Sequence, residues 1–94
     1  MSATVYTPAK LSPEVLDAVN DEFARGYRKH NGKTPRSWKV GDAQSLVILV
    51  EEVGEVARAM TYDEGDVENL ADELVQVAAM AAAWADRLMV RGDL

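Results

Sequence analysis

The chain contains no cysteine and a single histidine, His30. Without cysteine it forms no disulfide bonds and no thiolate metal sites, and a lone histidine argues against a transition-metal centre. A chain that forms no disulfide bonds needs no oxidising environment and fits a reducing compartment. We therefore expect a cytoplasmic protein.

Long apolar runs and targeting signals are missing as well. Residues 1–11 lack the charged start and the apolar stretch of a signal peptide. The longest nearly apolar stretch, residues 74–85, has twelve residues and includes Gln76, so it is too short to span a bilayer. We therefore expect a soluble protein without a membrane partner.

Positive charge is scarce and unevenly distributed. The net charge of −6 argues against general binding of nucleic acid, which needs a basic surface. Half of the basic residues lie in one segment that contains no acid: Arg28, Lys29, Lys33, Arg36 and Lys39. A basic segment beside an acidic body suits a phosphate ligand that carries a divalent metal ion.

Bulky side chains are few. Alanine supplies much of the 48% hydrophobic content, which includes only two tryptophans, three tyrosines and one phenylalanine. A chain of 94 residues buries only a modest core of its own. We therefore expect its helices to bury apolar faces against further subunits, in a homodimer or a homotetramer.

The spacing of apolar residues predicts one all-α domain over residues 1–94, with an irregular lead-in over residues 1–11. Ser12 as N-cap and Pro13 at the first helical position predict a first helix over residues 12–29. Turn-forming residues then predict a loop that ends near Gly41.

The rest of the chain predicts a helical hairpin. Asp42 is the expected N-cap of a second helix over residues 42–61, whose apolar residues recur at intervals of three and four: Leu46, Leu49, Val50, Val53, Val56, Ala57 and Met60. A turn at residues 62–65, with Asp66 as the next N-cap, precedes a third helix over residues 66–90. We expect these helices to assemble into a bundle through oligomerisation.

Four polar side chains form two pairs at helical spacing on this hairpin. Glu52 and Glu55 lie three residues apart on the second helix, and Glu73 and Gln76 lie three apart on the third. Each pair shares a stripe with apolar residues, which predicts a covered face where carboxylates need a cation or hydrogen bonds. The alternative is a solvated acidic face. Oxygen donors from both helices around one point would suit Mg²⁺.

These residues resemble two motifs of the all-α nucleotide pyrophosphohydrolases, MazG-like enzymes among them. The family carries E-E-x-x-E on one helix and E-x-x-D on the next. Here the first motif stands as Glu51-Glu52-Val53-Gly54-Glu55 and the second as Glu73-Leu74-Val75-Gln76, within a match over residues 45–88. The departure is Gln76, where the family has aspartate.

The resemblance implies Mg²⁺-dependent cleavage of a nucleoside triphosphate between its α- and β-phosphates, with Mn²⁺ as an alternative ion. Glu52, Glu55 and Glu73 then match metal ligands, joined by Gln76 in place of the aspartate, and Glu51 matches the acid that orients or deprotonates water. Because an amide brings no charge, a second hypothesis is a MazG-like module that binds a nucleotide or a partner protein without efficient turnover. A third is a purely structural helical oligomer.

Four further residues are candidates for contacts with substrate. Trp38 could stack on a base or anchor the loop on the helices, and Lys39 could approach phosphate or lie in solvent. Asn69 falls on the stripe of Glu73, where it could contact a sugar or base, or be an exposed first-turn residue. Arg87 could reach phosphate, although arginines are commonplace on helix surfaces.

Overall fold

The computed structural model describes residues 7–62 and 67–90, and the regular secondary structure within them is helical. The helices are α1 (Pro13–Lys29), α2 (Asp42–Tyr62) and α3 (Val67–Val90), with no strand in these segments. The predicted all-α class is confirmed for this part of the chain, and the predicted helix bounds agree to within about one residue. Most of the lead-in, the turn after α2 and Asp66 lie outside the described residues.

Local chemistry explains both ends of α1. The Ser12 hydroxyl accepts a hydrogen bond from the backbone N–H of Val15 at 3.2 Å, and Pro13 occupies the first helical position. After the helix, Gly32 adopts a φ of +78°, and a Cβ there would lie 3.3 Å from the ring of Tyr27. The tight reversal at Gly32 turns the following loop back towards the helices.

The third helix lies between the other two. It packs against both α1 and α2, whereas α1 and α2 do not approach each other closely within the described segments. Small side chains make the close approach possible, since Ala79 is completely buried and Ala83 and Ala59 nearly so. The result is a cleft between α1 and α2 with α3 as its floor.

The apolar face predicted for α2 does not form the core of the chain. Leu46, Val50, Val53 and Met60 are at least half exposed, while Ser45 and Ala59 on another side of the helix are buried. The side of α2 that packs on α3 therefore includes Glu52 rather than these four apolar residues. Of the acids in this helix segment, only Glu52 is half-buried, since Glu51 and Glu55 are exposed.

Arg87 ties the long loop and the start of α2 to α3. Its side chain is only 2% exposed, and its Nε donates to the Pro35 carbonyl at 2.8 Å. Its Nη2 donates to Asp42 Oδ1 at 2.8 Å and to the Ser45 hydroxyl at 3.4 Å. The expectation of a surface arginine at this position is wrong, and a contact with phosphate stays a prediction.

Asp42 also has a role other than the one predicted. It is the first residue of α2 rather than its N-cap, and its Oδ1 accepts hydrogen bonds from Trp84 Nε1 at 2.9 Å and from Arg87. These donors hold the pKa of Asp42 below its usual range, with the Trp84 bond as the larger cause. Asp42 therefore joins α2 to α3.

No helix in the described part of the chain is both long and apolar enough to cross a membrane.

Replacement of Arg87 by methionine tests this anchor. Arg87→Met should lower the free energy of unfolding by about 2–4 kcal/mol, because an unsatisfied buried acceptor costs about 1–3 kcal/mol and the lost charge-assisted bonds add to it. Urea denaturation followed by far-UV circular dichroism measures the change. The control is Arg28→Met on the exposed side of α1, which should change stability by less than about 0.5 kcal/mol. Equal unfolding midpoints for the two variants would contradict the anchoring role.

Candidate functional site

The cleft between α1 and α2 has a volume of about 510 Å³. Its lining contains groups of both charges. Helix α2 contributes Glu51 and Glu52, and α3 contributes Gln76. The end of α1 and the start of the loop contribute basic residues: Lys29, His30 and Lys33. Acidic and basic groups therefore face one common space, as a metal-bound phosphate ligand requires.

Two carboxylate oxygens at the helix contact lack any partner. Oε2 of Glu52 on α2 and Oε2 of Glu73 on α3 are both buried, and neither accepts a hydrogen bond from the described residues. A buried anionic oxygen without a donor is costly, because water no longer solvates it. A bound cation, or hydrogen-bond donors from a ligand, would compensate the cost of burying these two oxygens.

The pKa of Glu52 reflects this environment. Burial raises it above its ordinary value, and the negative charges of Glu73, Glu22 and Glu55 raise it further, in that order. Arg25 offsets only part of the effect. Electrostatics thus disfavour the ionised form of Glu52 in the protein alone, and a bound cation would reverse this preference.

The residues present fit a sparse metal site rather than a protein cage. In the described segments, no three aspartate, glutamate, histidine or cysteine side chains converge closely enough to hold an ion. Mg²⁺ is commonly held by one or two carboxylates, with water and substrate phosphate completing its octahedron. Glu52 and Glu73 supply two carboxylates, and Gln76 places an amide oxygen on the same cleft.

The remaining motif acids lie further out. Glu51 is exposed and lines the cleft, which suits a carboxylate that meets water. Glu55 is also exposed, and lines a shallower depression beside Arg58 and Thr61 rather than the cleft. The structure therefore does not gather Glu55 with Glu52 and Glu73, although its charge is felt at Glu52. Its role as a ligand stays a prediction.

Three of the four predicted substrate contacts, Trp38, Lys39 and Asn69, are not part of the lining of this cleft. The Arg87 guanidinium lies 5.1 Å from the centre of the Trp38 ring, so the ring packs on the arginine that anchors the loop. Lys39 is exposed, and Asn69 is half-buried in the first turn of α3. None of them lines the cleft as the structure describes it. Their contacts with substrate stay predictions.

Glu22 and Arg25 on α1 are part of the site, and the motif pattern did not reveal them. Arg25 Nη2 donates to Glu22 Oε2 at 2.6 Å and Arg25 Nε donates to Glu22 Oε1 at 3.0 Å. The Glu22 side chain is only 17% exposed, and its charge reaches Glu52. The available sequence signal was weak: an acid and a base three residues apart, beside the small residue Gly26.

Comparison of the chain with protein-family models, with curated proteins and with solved structures yields no match.

Removal of the Glu52 charge should change how stability depends on pH. The pKa of Glu52 is higher in the folded chain than its unfolded value near 4.5, so the folded state keeps a proton that the unfolded state has lost. Without metal, stability should therefore fall as pH rises from about 4.5 through the raised pKa. Glu52→Gln should flatten this fall and raise Tm at neutral pH.

Thermal unfolding in EDTA at a series of pH values measures the effect. Glu14→Gln, at an exposed acid in the first turn of α1, is the matched control and should keep the parent profile. The interpretation of Glu52 is wrong if its variant melts below the parent at neutral pH.

Proposed function

We propose that this chain is a Mg²⁺-dependent nucleoside triphosphate pyrophosphohydrolase of the MazG-like type, with Mn²⁺ able to replace Mg²⁺. The observation that carries the proposal is the pair of buried, unpartnered oxygens of Glu52 and Glu73 on facing helices. Both residues occupy motif positions, and the adjoining cleft is lined by both acidic and basic side chains.

In the proposed reaction, a water oxygen bonds to the α-phosphorus and the bond from that phosphorus to the α–β bridging oxygen breaks. The products are a nucleoside monophosphate and pyrophosphate. Glu51, an exposed carboxylate on the cleft, orients the water and accepts its proton. Glu52 and Glu73 hold the ion, and Gln76 supplies a neutral oxygen beside them. When bound, Mg²⁺ neutralises phosphate charge and lowers the pKa of a coordinated water.

Release of pyrophosphate from a panel of ribo- and deoxyribonucleoside triphosphates, with Mg²⁺ or Mn²⁺, tests the proposal. Glu52→Ala should reduce turnover by on the order of 100-fold or more, since even indirect supports of a metal ligand contribute about 10–100-fold. Glu55→Ala tests whether the exposed acid joins the site when substrate binds, and should also abolish turnover. Circular dichroism shows whether each variant is folded.

Glu14→Ala is the control variant, because Glu14 is exposed at the far end of α1. It should release pyrophosphate at the parent rate. Turnover that survives in both Glu52→Ala and Glu55→Ala, or that needs no divalent ion, would refute the assigned chemistry.

A second candidate function is a MazG-like module that binds nucleotides or a partner protein without efficient turnover. The observation in its favour is that Gln76, a neutral amide, occupies the position of the motif aspartate on the cleft. With the same panel of nucleotides, a binding module would show a rise in Tm when nucleotide is added but no release of pyrophosphate. Gln76→Asp would then introduce the missing carboxylate and should produce turnover.

We further propose that a second copy of the chain covers the outer face of α2, in a homodimer or a homotetramer. The support is a row of exposed apolar residues at alternating intervals of four and three: Leu46, Val50, Val53, Ala57 and Met60. This heptad spacing is typical of helices that pack against other helices. An apolar face of that length on so small a chain favours association over exposure to water.

A charge placed in this row should separate the subunits. Val50 is 59% and Val53 50% exposed, so Val50→Asp or Val53→Asp costs little in a lone chain but buries a charge in the assembly. Size-exclusion chromatography with light scattering should show the mass fall to that of one chain. Val15→Asp on α1 is the control and should keep the parent mass. A parent that is already monomeric would refute this interface.

A further inference from the structure

The basic residues that line the cleft are not explained by the acids proposed to hold the metal ion. Lys29 lies in the last turn of α1, and Lys33 follows the left-handed turn at Asn31 and Gly32. That turn folds Lys33 back onto the space that Lys29 also lines. Two cations from different local structures therefore share one wall, with His30 between them.

These lysines differ from several arginines of the chain in their pairing. Arg25 pairs with Glu22, Arg36 with Asp86, and Arg87 with Asp42. No acid of the described segments forms an ion pair with Lys29 or Lys33, although the chain as a whole is acidic. Their charges are thus available to an anion in the cleft.

The helix dipole explains only part of this arrangement. A cation in the last turn of α1 offsets the partial negative charge of the helix end, which accounts for Lys29. It does not account for Lys33, which lies beyond the turn and yet lines the cleft. Lys33 therefore adds a second positive charge to the cleft that the helix end does not require.

We infer that Lys29 and Lys33, with His30, form a seat for the terminal phosphates of the substrate. This inference rests on the proposed function, because it assigns the polarity of the substrate in that same cleft. The α-phosphate lies beside Glu51 and Glu52, and the β- and γ-phosphates extend to the lysines. The nucleoside then points away from the basic wall, so the seat recognises any chain of phosphates whatever the base.

The lysine seat is tested with inorganic tripolyphosphate in EDTA, which removes both the base and the metal from the measurement. Isothermal titration calorimetry should show that the double variant Lys29→Ala/Lys33→Ala binds tripolyphosphate roughly tenfold more weakly than the parent, since each exposed ion pair contributes a fraction of that factor. The charge-matched control is Lys10→Ala/Arg28→Ala, at two exposed positions outside the cleft. It should bind within about twofold of the parent at 0.15 M salt, where charges beyond the Debye length are screened.

Two results would contradict the lysine seat. The first is equally weakened tripolyphosphate binding in the control double variant, which indicates general electrostatic attraction. The second is unchanged tripolyphosphate binding in the Lys29→Ala/Lys33→Ala variant. Glu52→Ala separates this inference from the proposed function. It should lose turnover but retain tripolyphosphate binding in EDTA, so the seat can be established in a protein that proves inactive. In an active protein, the lysine variant should raise KM by a similar factor for purine and pyrimidine triphosphates.

Discussion

The buried guanidinium of Arg87 is the interaction on which the cleft depends. The loop between α1 and α2 has little apolar content of its own, and α1 and α2 do not pack on each other in the described segments. Arg87 reaches the Pro35 carbonyl and Asp42 from α3, and so fixes the loop and the start of α2 on the same helix. A buried charge with directed donors specifies one arrangement, whereas contacts among small apolar side chains permit several. Arg87 therefore fixes the loop that carries Lys33 relative to the helix that carries Glu52.

The alanines of α3 let the neighbouring helices pack closely. Ala79 and Ala83 give α3 a narrow surface at these positions, and both side chains are buried there. Leu46, Val50, Val53 and Met60 of α2 remain exposed, whereas Glu52 lies close enough to Glu73 for their charges to interact. A packing choice of this kind costs core stability in one chain. It leaves a polar cleft between the helices and a row of exposed apolar side chains on α2.

Local patterns predicted the helices, while long-range contacts decided the rest. Ser12, Pro13 and Gly32 act within a few residues of themselves, so the ends of α1 followed from sequence. The pairing of Glu52 with Glu73 followed from helical spacing and from the motif. The face of α2 that packs could not be predicted, because the largest apolar stripe is not the one that α3 accepts. Arg87 and Glu22 were missed for the same reason, since their roles depend on contacts with other helices.

The neutral residue at Gln76 can be understood from the charge around it. Glu52 already experiences burial and the charges of Glu73, Glu22 and Glu55, against one nearby cation, Arg25. An aspartate at position 76 would add a further negative charge to the same cleft and make the metal-free state less stable. An amide retains an oxygen ligand without that cost, but it attracts a divalent ion less strongly. Under the proposed function, glutamine in place of the motif aspartate would therefore weaken metal binding and stabilise the metal-free state, which suits a chain whose own core is small.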